Sequence, residues 1–243
     1  MSNGTHPASV TKKSLKKRLI AVAGGFLAAY LAIAYVVLPA FWKRYEKRHS
    51  ALDDAPGITK TADGIPGDPV NVALVGTQAE LIAMMRKADW NEAAALGLKS
   101  DLEIAVDTVL SRPDVNAPVS SLYLFGRKED LAFEQPVGDN PRHRHHVRFW
   151  KSNQLDGGRP VWLGSAVYDQ RVGFSRDTGQ ITHVTAPEID TERDYLFSNL
   201  KQTGDLSNLE VIDGFHKVLE GRNGGGDPWH TDGRLFMGVV RED

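Results

Sequence analysis

The sequence predicts an α+β protein: a single N-terminal transmembrane helix, followed by one compact domain with an antiparallel or mixed sheet and about three helices. Two observations lead to this class. Residues 19–40 are apolar and uncharged, while the rest of the chain carries short β-branched or alternating apolar runs bounded by Gly and Pro. Only a few segments have helical periodicity, so we expect an α+β fold and not a doubly wound nucleotide-binding fold.

The apolar segment at residues 19–40 is long enough to cross a bilayer, because 22 helical residues extend roughly 33 Å. A cleaved signal peptide is the alternative, since KKSLKKR resembles its basic start. The run is longer than a typical signal core, however, and FWKRYEKRH follows it instead of a small-residue cleavage site. We therefore expect an uncleaved, single-pass membrane anchor. The predicted organisation is a basic tail (1–18), a transmembrane helix (19–41), a juxtamembrane segment and linker (42–67) and one domain (68–243).

Charge is distributed unevenly along the chain. Nine of the 29 Lys and Arg residues, but one of the 31 acidic residues, lie in the first 48 positions, which leaves a net charge of about −10 on the remainder. An acidic domain is a poor nucleic-acid binder, so we expect no nucleic-acid partner. Basic residues flank the apolar segment almost equally, with a slight excess before it, so we expect the large domain on the outer face of the membrane. The chain has no cysteine, which excludes disulfides, thiolate nucleophiles and Cys-based zinc sites.

The domain is predicted to begin after a Pro- and Gly-rich linker at residues 55–69. Thr77 and Glu80 form a capping box that predicts a helix after the first strand. The predicted helices are 78–88, 99–110 and one from 187 or 190 to 202. The predicted strands are 70–75, 119–125, 131–135, 143–151, 161–169, 180–185, 210–219 and 234–241. We expect the glycine-rich stretch GRNGGGDP to be a hairpin loop.

The stretch NPRHRHHVRFW is the most unusual feature of the domain, with three histidines and three arginines in eleven residues. As a strand, it places His143 and His145 on one face. The opposite face carries Arg144, His146, Arg148 and Trp150.

Three interpretations of this stretch are open. His143 and His145 share a face and would bind a metal with a third ligand such as His183 or His230, but the arginines disfavour a cation, and we expect no metal. Arg144, His146 and Arg148 suit a phosphate or carboxylate. Alternatively, the arginines pair with the domain's own acidic residues on a solvated sheet face.

Catalytic motifs are sparse. The chain contains no Walker A, G-x-G-x-x-G, G-x-S-x-G or H-E-x-x-H pattern, so no cofactor is predicted. Polar residues near predicted element ends supply candidates for acid–base chemistry, and these are His146, His183 and Asp130. Candidate ligand-binding residues are Arg127, Arg144, His145, Arg148, Asp190 and Arg193. Asp190 is also expected to cap a helix, and Arg193 to pair with it.

Several blocks resemble, in order, the LssY-like C-terminal domain family. They are DPVNVALVG, PVSSLYLFGRKEDLAF, PRHRHHVRFW, GRPVWLGSAVYD and GQITHVTAPEIDTERDYLFSNL, and the resemblance covers roughly residues 68–243. It implies a component associated with type I secretion. Relatives carry the domain behind membrane segments, sometimes fused to acid-phosphatase-like portions, but the family has no established activity to carry over. The polar positions that match the family pattern are Arg127, Asp130, His145, His146, Arg148, His183, Asp190 and Arg193.

We therefore expect a membrane-anchored domain that binds an anionic ligand or partner near the membrane surface, such as a lipid headgroup or an envelope protein in a secretion-related assembly. The alternative is a hydrolase acting on a phosphoester or lipid, with His146 or His183 as the acid or base. A purely structural envelope partner is a third class, favoured if the arginines pair with internal carboxylates.

Overall fold

A computed structural model of the chain describes residues 10–41, 52, 55–93, 122–138, 143–174 and 181–242. The chain divides into two compact units, Met1–Ser50 and Ala51–Asp243. The predicted helix at 99–110 and the first three residues of the predicted strand at 119–125 lie outside the described residues.

The first unit is helical. Helix α1 (Val10–Ala32) continues through a π-helical turn at Ile33–Val37. Residues Lys17–Phe41 form a 25-residue span with mean hydropathy 2.2, and none of its apolar window is buried. Its length and composition suffice to cross a membrane, although a signal sequence has the same properties.

The second unit is an α+β domain, as predicted. Its helices are α2 (Gln78–Lys87) and α3 (Ile189–Thr203). Its strands are β1 (Ile58–Lys60), β2 (Pro66–Pro69), β3 (Val72–Val75), β4 (Asn91–Glu92), β5 (Tyr123–Leu124), β6 (Arg127–Lys128), β7 (Leu131–Pro136), β8 (Arg144–Asp156), β9 (Arg159–Phe174), β10 (Ile181–Thr185), β11 (Leu206–Ile212), β12 (Glu220–Arg222), β13 (Pro228–His230) and β14 (Leu235–Val240).

Eight of the described strands form the main sheet, in the order β11-β14-β3-β9-β8-β7-β4, with β10 beside the second half of β9. The sheet is mixed, because β14 and β3 run parallel while the other described pairs are antiparallel. Strands β8 and β9 form a long hairpin closed at Gly157 and Gly158, both at positive φ. This hairpin holds the sheet together, since β9 pairs with β3, β8 and β10.

Helices α2 and α3 cover one face of the main sheet. Thr77 accepts a hydrogen bond from the Glu80 N–H, and the Glu80 side chain accepts one from the Thr77 N–H, so the predicted capping box is confirmed. Buried apolar side chains of both helices pack against Val147 and Phe149 of β8. Gly164 of β9 lies under this layer, where a Cβ would meet Phe149 and Val72 atoms at 2.7 Å. A side chain at that position would force the strands apart.

The opposite face of the main sheet has a second apolar core around Trp150, Leu163 and Met237. Leu122 and Leu124, beside and within β5, pack into it. Strand β5 belongs to a four-stranded sheet of order β2-β1-β5-β6, and β12 and β13 form a separate hairpin. Trp229 of that hairpin packs on Val167 of β9.

Three sequence predictions are corrected by the structure. The predicted linker at 55–69 carries β1 and β2, an irregular pair in which Gly and Pro mark a turn and a bulge inside the folded unit. The predicted strand at 210–219 is β11, which begins earlier and ends at Ile212 before a turn. Asp190 is not the N-cap of α3. Glu188 occupies that position without a side-chain cap, and Asp190 lies in the first turn.

Candidate functional site

Strand β8 places three charged or titratable side chains on the sheet face opposite the helices, as the predicted alternation requires. Arg144, His146 and Arg148 are 2%, 2% and 3% exposed, and Asp169, across from Arg144 on β9, is fully buried. Together with side chains that contact them they form a group called here the buried polar cluster: Asp68, Glu134, Arg144, His146, Arg148, Asp169 and His183.

Arg144 is paired through all three guanidinium nitrogens. Its Nε donates to Asp169 Oδ2 at 3.0 Å, and its Nη1 donates to Glu134 Oε2 at 2.8 Å. Its Nη2 lies 3.3 Å from His183 Nε2. A guanidinium with two carboxylate partners and an imidazole partner has little capacity left for a ligand.

His146 lies between a carboxylate and a guanidinium. Its Nδ1 is 3.1 Å from Asp169 Oδ2, and its Nε2 is 2.6 Å from Arg148 Nη1. Arginine has only donors, so Nε2 must accept and Nδ1 must carry the proton that it donates to Asp169. These contacts define a neutral imidazole in one tautomer.

Burial explains the protonation states in the cluster. It lowers the pKa of His146 and His183, with Asp169 opposing this and the arginines reinforcing it. Burial would raise the pKa of Asp169, but His146, His183 and Arg144 outweigh it, and that pKa lies well below its usual range. Burial also raises the pKa of Glu134, against the pull of Arg144.

Arg148 extends the cluster towards the small sheet and the β12–β13 hairpin. Its Nη1 lies 3.7 Å from Asp68 Oδ2, and Asp68 Oδ1 accepts a hydrogen bond from Asn223 at 3.0 Å. Two buried oxygens on this face of the sheet, Ser165 Oγ and Asp169 Oδ1, have no hydrogen-bond partner among the described residues. The arginines therefore do pair with the domain's own carboxylates, but in a buried layer and not on a solvated face.

His145 lies on the helix face of β8, away from the cluster. Its ring stacks on Tyr195 with centroids 4.0 Å apart, and its Nδ1 is 2.8 Å from Glu192 Oε2. Burial raises the pKa of Glu192, against the contact with His145. These contacts fasten α3 to the sheet.

Asp190 and Arg193 form a separate group at the start of α3. Arg193 contacts Asp190 at 3.1 Å, so the expected local pair is present, and it reaches Asp232 at 2.8 Å. Its guanidinium lies 4.0 Å from the centroid of the Phe236 ring. This group holds the loop before β14 against α3.

Arg127 and Asp130 are brought together at a fourth place, on the surface. Arg127 Nη1 donates to Asp130 Oδ2 at 2.8 Å, and its Nη2 donates to the Lys151 carbonyl. Asp130 also accepts from the Lys151 N–H at 2.6 Å. The candidate residues are thus distributed over four places, and only Arg144, His146, Arg148 and His183 converge.

A basic and aromatic surface lies on the face of the small sheet opposite Leu122 and Leu124, and sequence reasoning did not identify it. Lys60, Tyr123 and Lys128 are directly opposite one another across β1, β5 and β6, so their side chains share one face of the small sheet. Both lysines are exposed. We call this surface the basic-aromatic face and define it as Lys60, Tyr123 and Lys128, with Phe125 at the tip of the hairpin that joins β5 and β6. The face arises because Lys60 and Lys128 each pair with Tyr123 from neighbouring strands, and no local sequence pattern reveals this pairing.

The comparisons with known proteins identify a family and nothing more specific. The family model described as LssY C-terminus matches residues 52–235. No curated protein and no solved structure matches the chain.

The buried cluster predicts an acid-sensitive stability. Because burial lowers the pKa of His183 below its ordinary value of 6.5, the unfolded chain takes up a proton below that pH while the folded chain does not. This contribution to stability is present above pH 6.5 and declines as pH falls towards the lower folded-state pKa. We expect His183→Gln to reduce the slope of unfolding free energy against pH, by up to about 1.4 kcal/mol per pH unit. Urea unfolding of the full chain in detergent between pH 7 and 5.5, followed by tryptophan fluorescence, measures it.

His230→Gln is the matched control, because His230 is 48% exposed and lies outside the cluster. Its slope should equal that of the unmodified chain. Burial raises the pKa of Glu134 and of Glu192, so these two groups favour the fold as pH falls, opposite to His183. They do so in all of these proteins, so the comparison isolates the contribution of His183. Equal slopes for both variants would contradict the prediction.

Proposed function

The chain belongs to the LssY C-terminus family, and from this premise we propose that it is a single-pass membrane protein whose domain binds the anionic headgroups of the bilayer that anchors it. The observation that carries the proposal is the basic-aromatic face. There, Lys60 and Lys128 project from the small sheet on either side of Tyr123. Neither of these two lysine side chains forms an ion pair within the described part of the chain.

The proposed anchor is the apolar helix at Lys17–Phe41. Only 16 residues separate Phe41 from the first strand of the domain, and a chain of that length reaches at most roughly 60 Å. A domain held this close encounters its own bilayer at a high effective concentration, so weak surface contacts suffice for docking. We place the domain on the outer side of the membrane.

Charge supports the choice of this face. The chain beyond residue 48 has a net charge of about −10, so an anionic bilayer repels the domain on average. Exposed lysines concentrated on one face make that face attractive, each contributing about 1 kcal/mol near an anionic surface. The remaining acidic surface is then free for an envelope or secretion-related partner.

Reversal of the lysine charges should release the domain. The chain has no cysteine, so Ala62→Cys, in the turn after β1, takes a single environment-sensitive dye beside the basic-aromatic face. In phosphatidylglycerol nanodiscs, we expect headgroup-labelled lipid to quench this dye when the domain docks. The double change Lys60→Glu and Lys128→Glu should weaken docking more than about tenfold, because two attractive charges become repulsive.

The charge-matched control is Lys201→Glu with Lys217→Glu, two exposed lysines outside the face, and it should dock as the unmodified chain does. A dye at Val211→Cys, on the edge strand β11, should show less quenching than the dye at Ala62→Cys. Equal quenching at both positions, or docking insensitive to Lys60 and Lys128, would disprove the proposal.

Hydrolysis of a phosphoester or lipid is the second candidate function, and the contact of His146 Nδ1 with Asp169 favours it. That contact holds the neutral tautomer, which leaves Nε2 as the basic atom. A phosphoester bound by Arg148 would replace the contact between Arg148 and His146 Nε2. His146 would then accept the proton of an attacking water at Nε2 and return that proton to the leaving alkoxide. His183 would be the second acid or base. Asp130 is held by Arg127 and the Lys151 backbone, far along β8 from this histidine.

Turnover of phosphomonoester, phosphodiester and carboxylic ester substrates by the full chain in nanodiscs tests this candidate. His146→Asn and His183→Gln should each lower the rate by at least about a hundredfold, as expected for loss of an acid–base group. His230→Gln should leave the rate unchanged. Absence of turnover in the unmodified chain, or turnover that survives the loss of both histidines, excludes it.

A further inference from the structure

The hairpin between β5 and β6 has an unusual tip. Leu124 pairs with Arg127, so Phe125 and Gly126 form a two-residue turn. Both have left-handed backbones, with φ of 53° and 74°. A turn of this kind favours Asn-Gly or Asp-Gly, because a bulky side chain is disfavoured at positive φ. Phenylalanine is therefore a costly choice for the first position.

Packing among the described residues of the domain does not account for this residue. Phe125 is 43% exposed and belongs to none of the apolar cores. Its ring lies 6.0 Å from the Arg127 guanidinium, a long cation–π contact. An aromatic ring held outwards on a strained turn indicates a role that is fulfilled outside the domain.

The surroundings of the ring indicate a lipid bilayer. Tyr123 and Lys128 lie within three residues of it, on the face that we propose to bind anionic headgroups, and the Arg127 guanidinium lies beside the ring. Aromatic rings beside basic side chains are typical of protein segments at the membrane interface, where the ring reaches the acyl boundary while the cations remain among the headgroups. The short connection to the apolar helix supplies such a surface.

We propose that Phe125 inserts into the bilayer as an apolar anchor, and that the lysines of the basic-aromatic face supply the longer-range attraction. The inference rests on the proposed headgroup binding and adds a contribution that salt does not screen. Lysine attraction declines as ionic strength rises, whereas burial of a phenylalanine ring does not. The domain is thus held by two separable interactions, and ionic strength distinguishes them.

The test compares Phe125→Asn with Phe125→Trp in the full chain carrying the dye at Ala62→Cys, in phosphatidylglycerol nanodiscs at low and high salt. Asparagine suits the turn better than phenylalanine, so the domain should fold at least as stably. We expect Phe125→Asn to lower the docking equilibrium about tenfold, the effect of losing one buried aromatic ring. It should also make the remaining docking strongly salt-dependent. Phe125→Trp should retain salt-resistant docking.

The outcomes separate the two proposals. If Lys60→Glu with Lys128→Glu weakens docking but Phe125→Asn does not, headgroup binding stands and insertion is wrong. If neither variant weakens docking, both are wrong. If the Phe125→Asn effect appears only in discs that hold two chains, the hairpin contacts a second copy, which also overturns insertion.

Discussion

The buried ion pair between Arg144 and Asp169 is the interaction on which the domain depends. Two charges removed from water are stable only when they satisfy each other, and the loss of one partner from such a pair typically costs about 3–5 kcal/mol. Here Asp169 also fixes the tautomer of His146, and Arg144 also holds Glu134. The pair therefore orders three neighbouring strands, β7, β8 and β9, at the centre of the main sheet.

This pairing determines where ligand binding is proposed. A guanidinium already held by Asp169, Glu134 and His183 binds a new anion only by giving up a carboxylate. Within the described residues, the exposed lysines of the small sheet have no such competition. The same domain thus uses buried cations to order its sheet, while the cations proposed for binding lie on its surface. His146 retains the geometry of an acid–base group, and for that reason hydrolysis remains the second proposal.

Local patterns in the sequence predicted much of this fold. Alternation along residues 143–150 predicted which side chains share a face, and the spacing of Thr77 and Glu80 predicted the start of α2. Neither pattern reveals which distant strands pair with each other. The partners of Arg144 come from β7, β9 and β10, so its burial could not be predicted from its own strand. The basic-aromatic face is likewise created by pairing of residues 60, 123 and 128, and the strands at 58–60 and 66–69 were hidden in a Gly- and Pro-rich stretch typical of a linker.

A double-mutant cycle on Arg144 and Asp169 tests the central claim most directly, with unfolding free energy and nanodisc docking measured on the same proteins. We predict that Arg144→Met and Asp169→Asn each destabilise the domain by about 3–5 kcal/mol, and that the double variant costs no more than the larger single change. Variants that remain folded should still dock on anionic bilayers. Small and additive costs, accompanied by loss of docking, would show that these charges serve a ligand and not the fold.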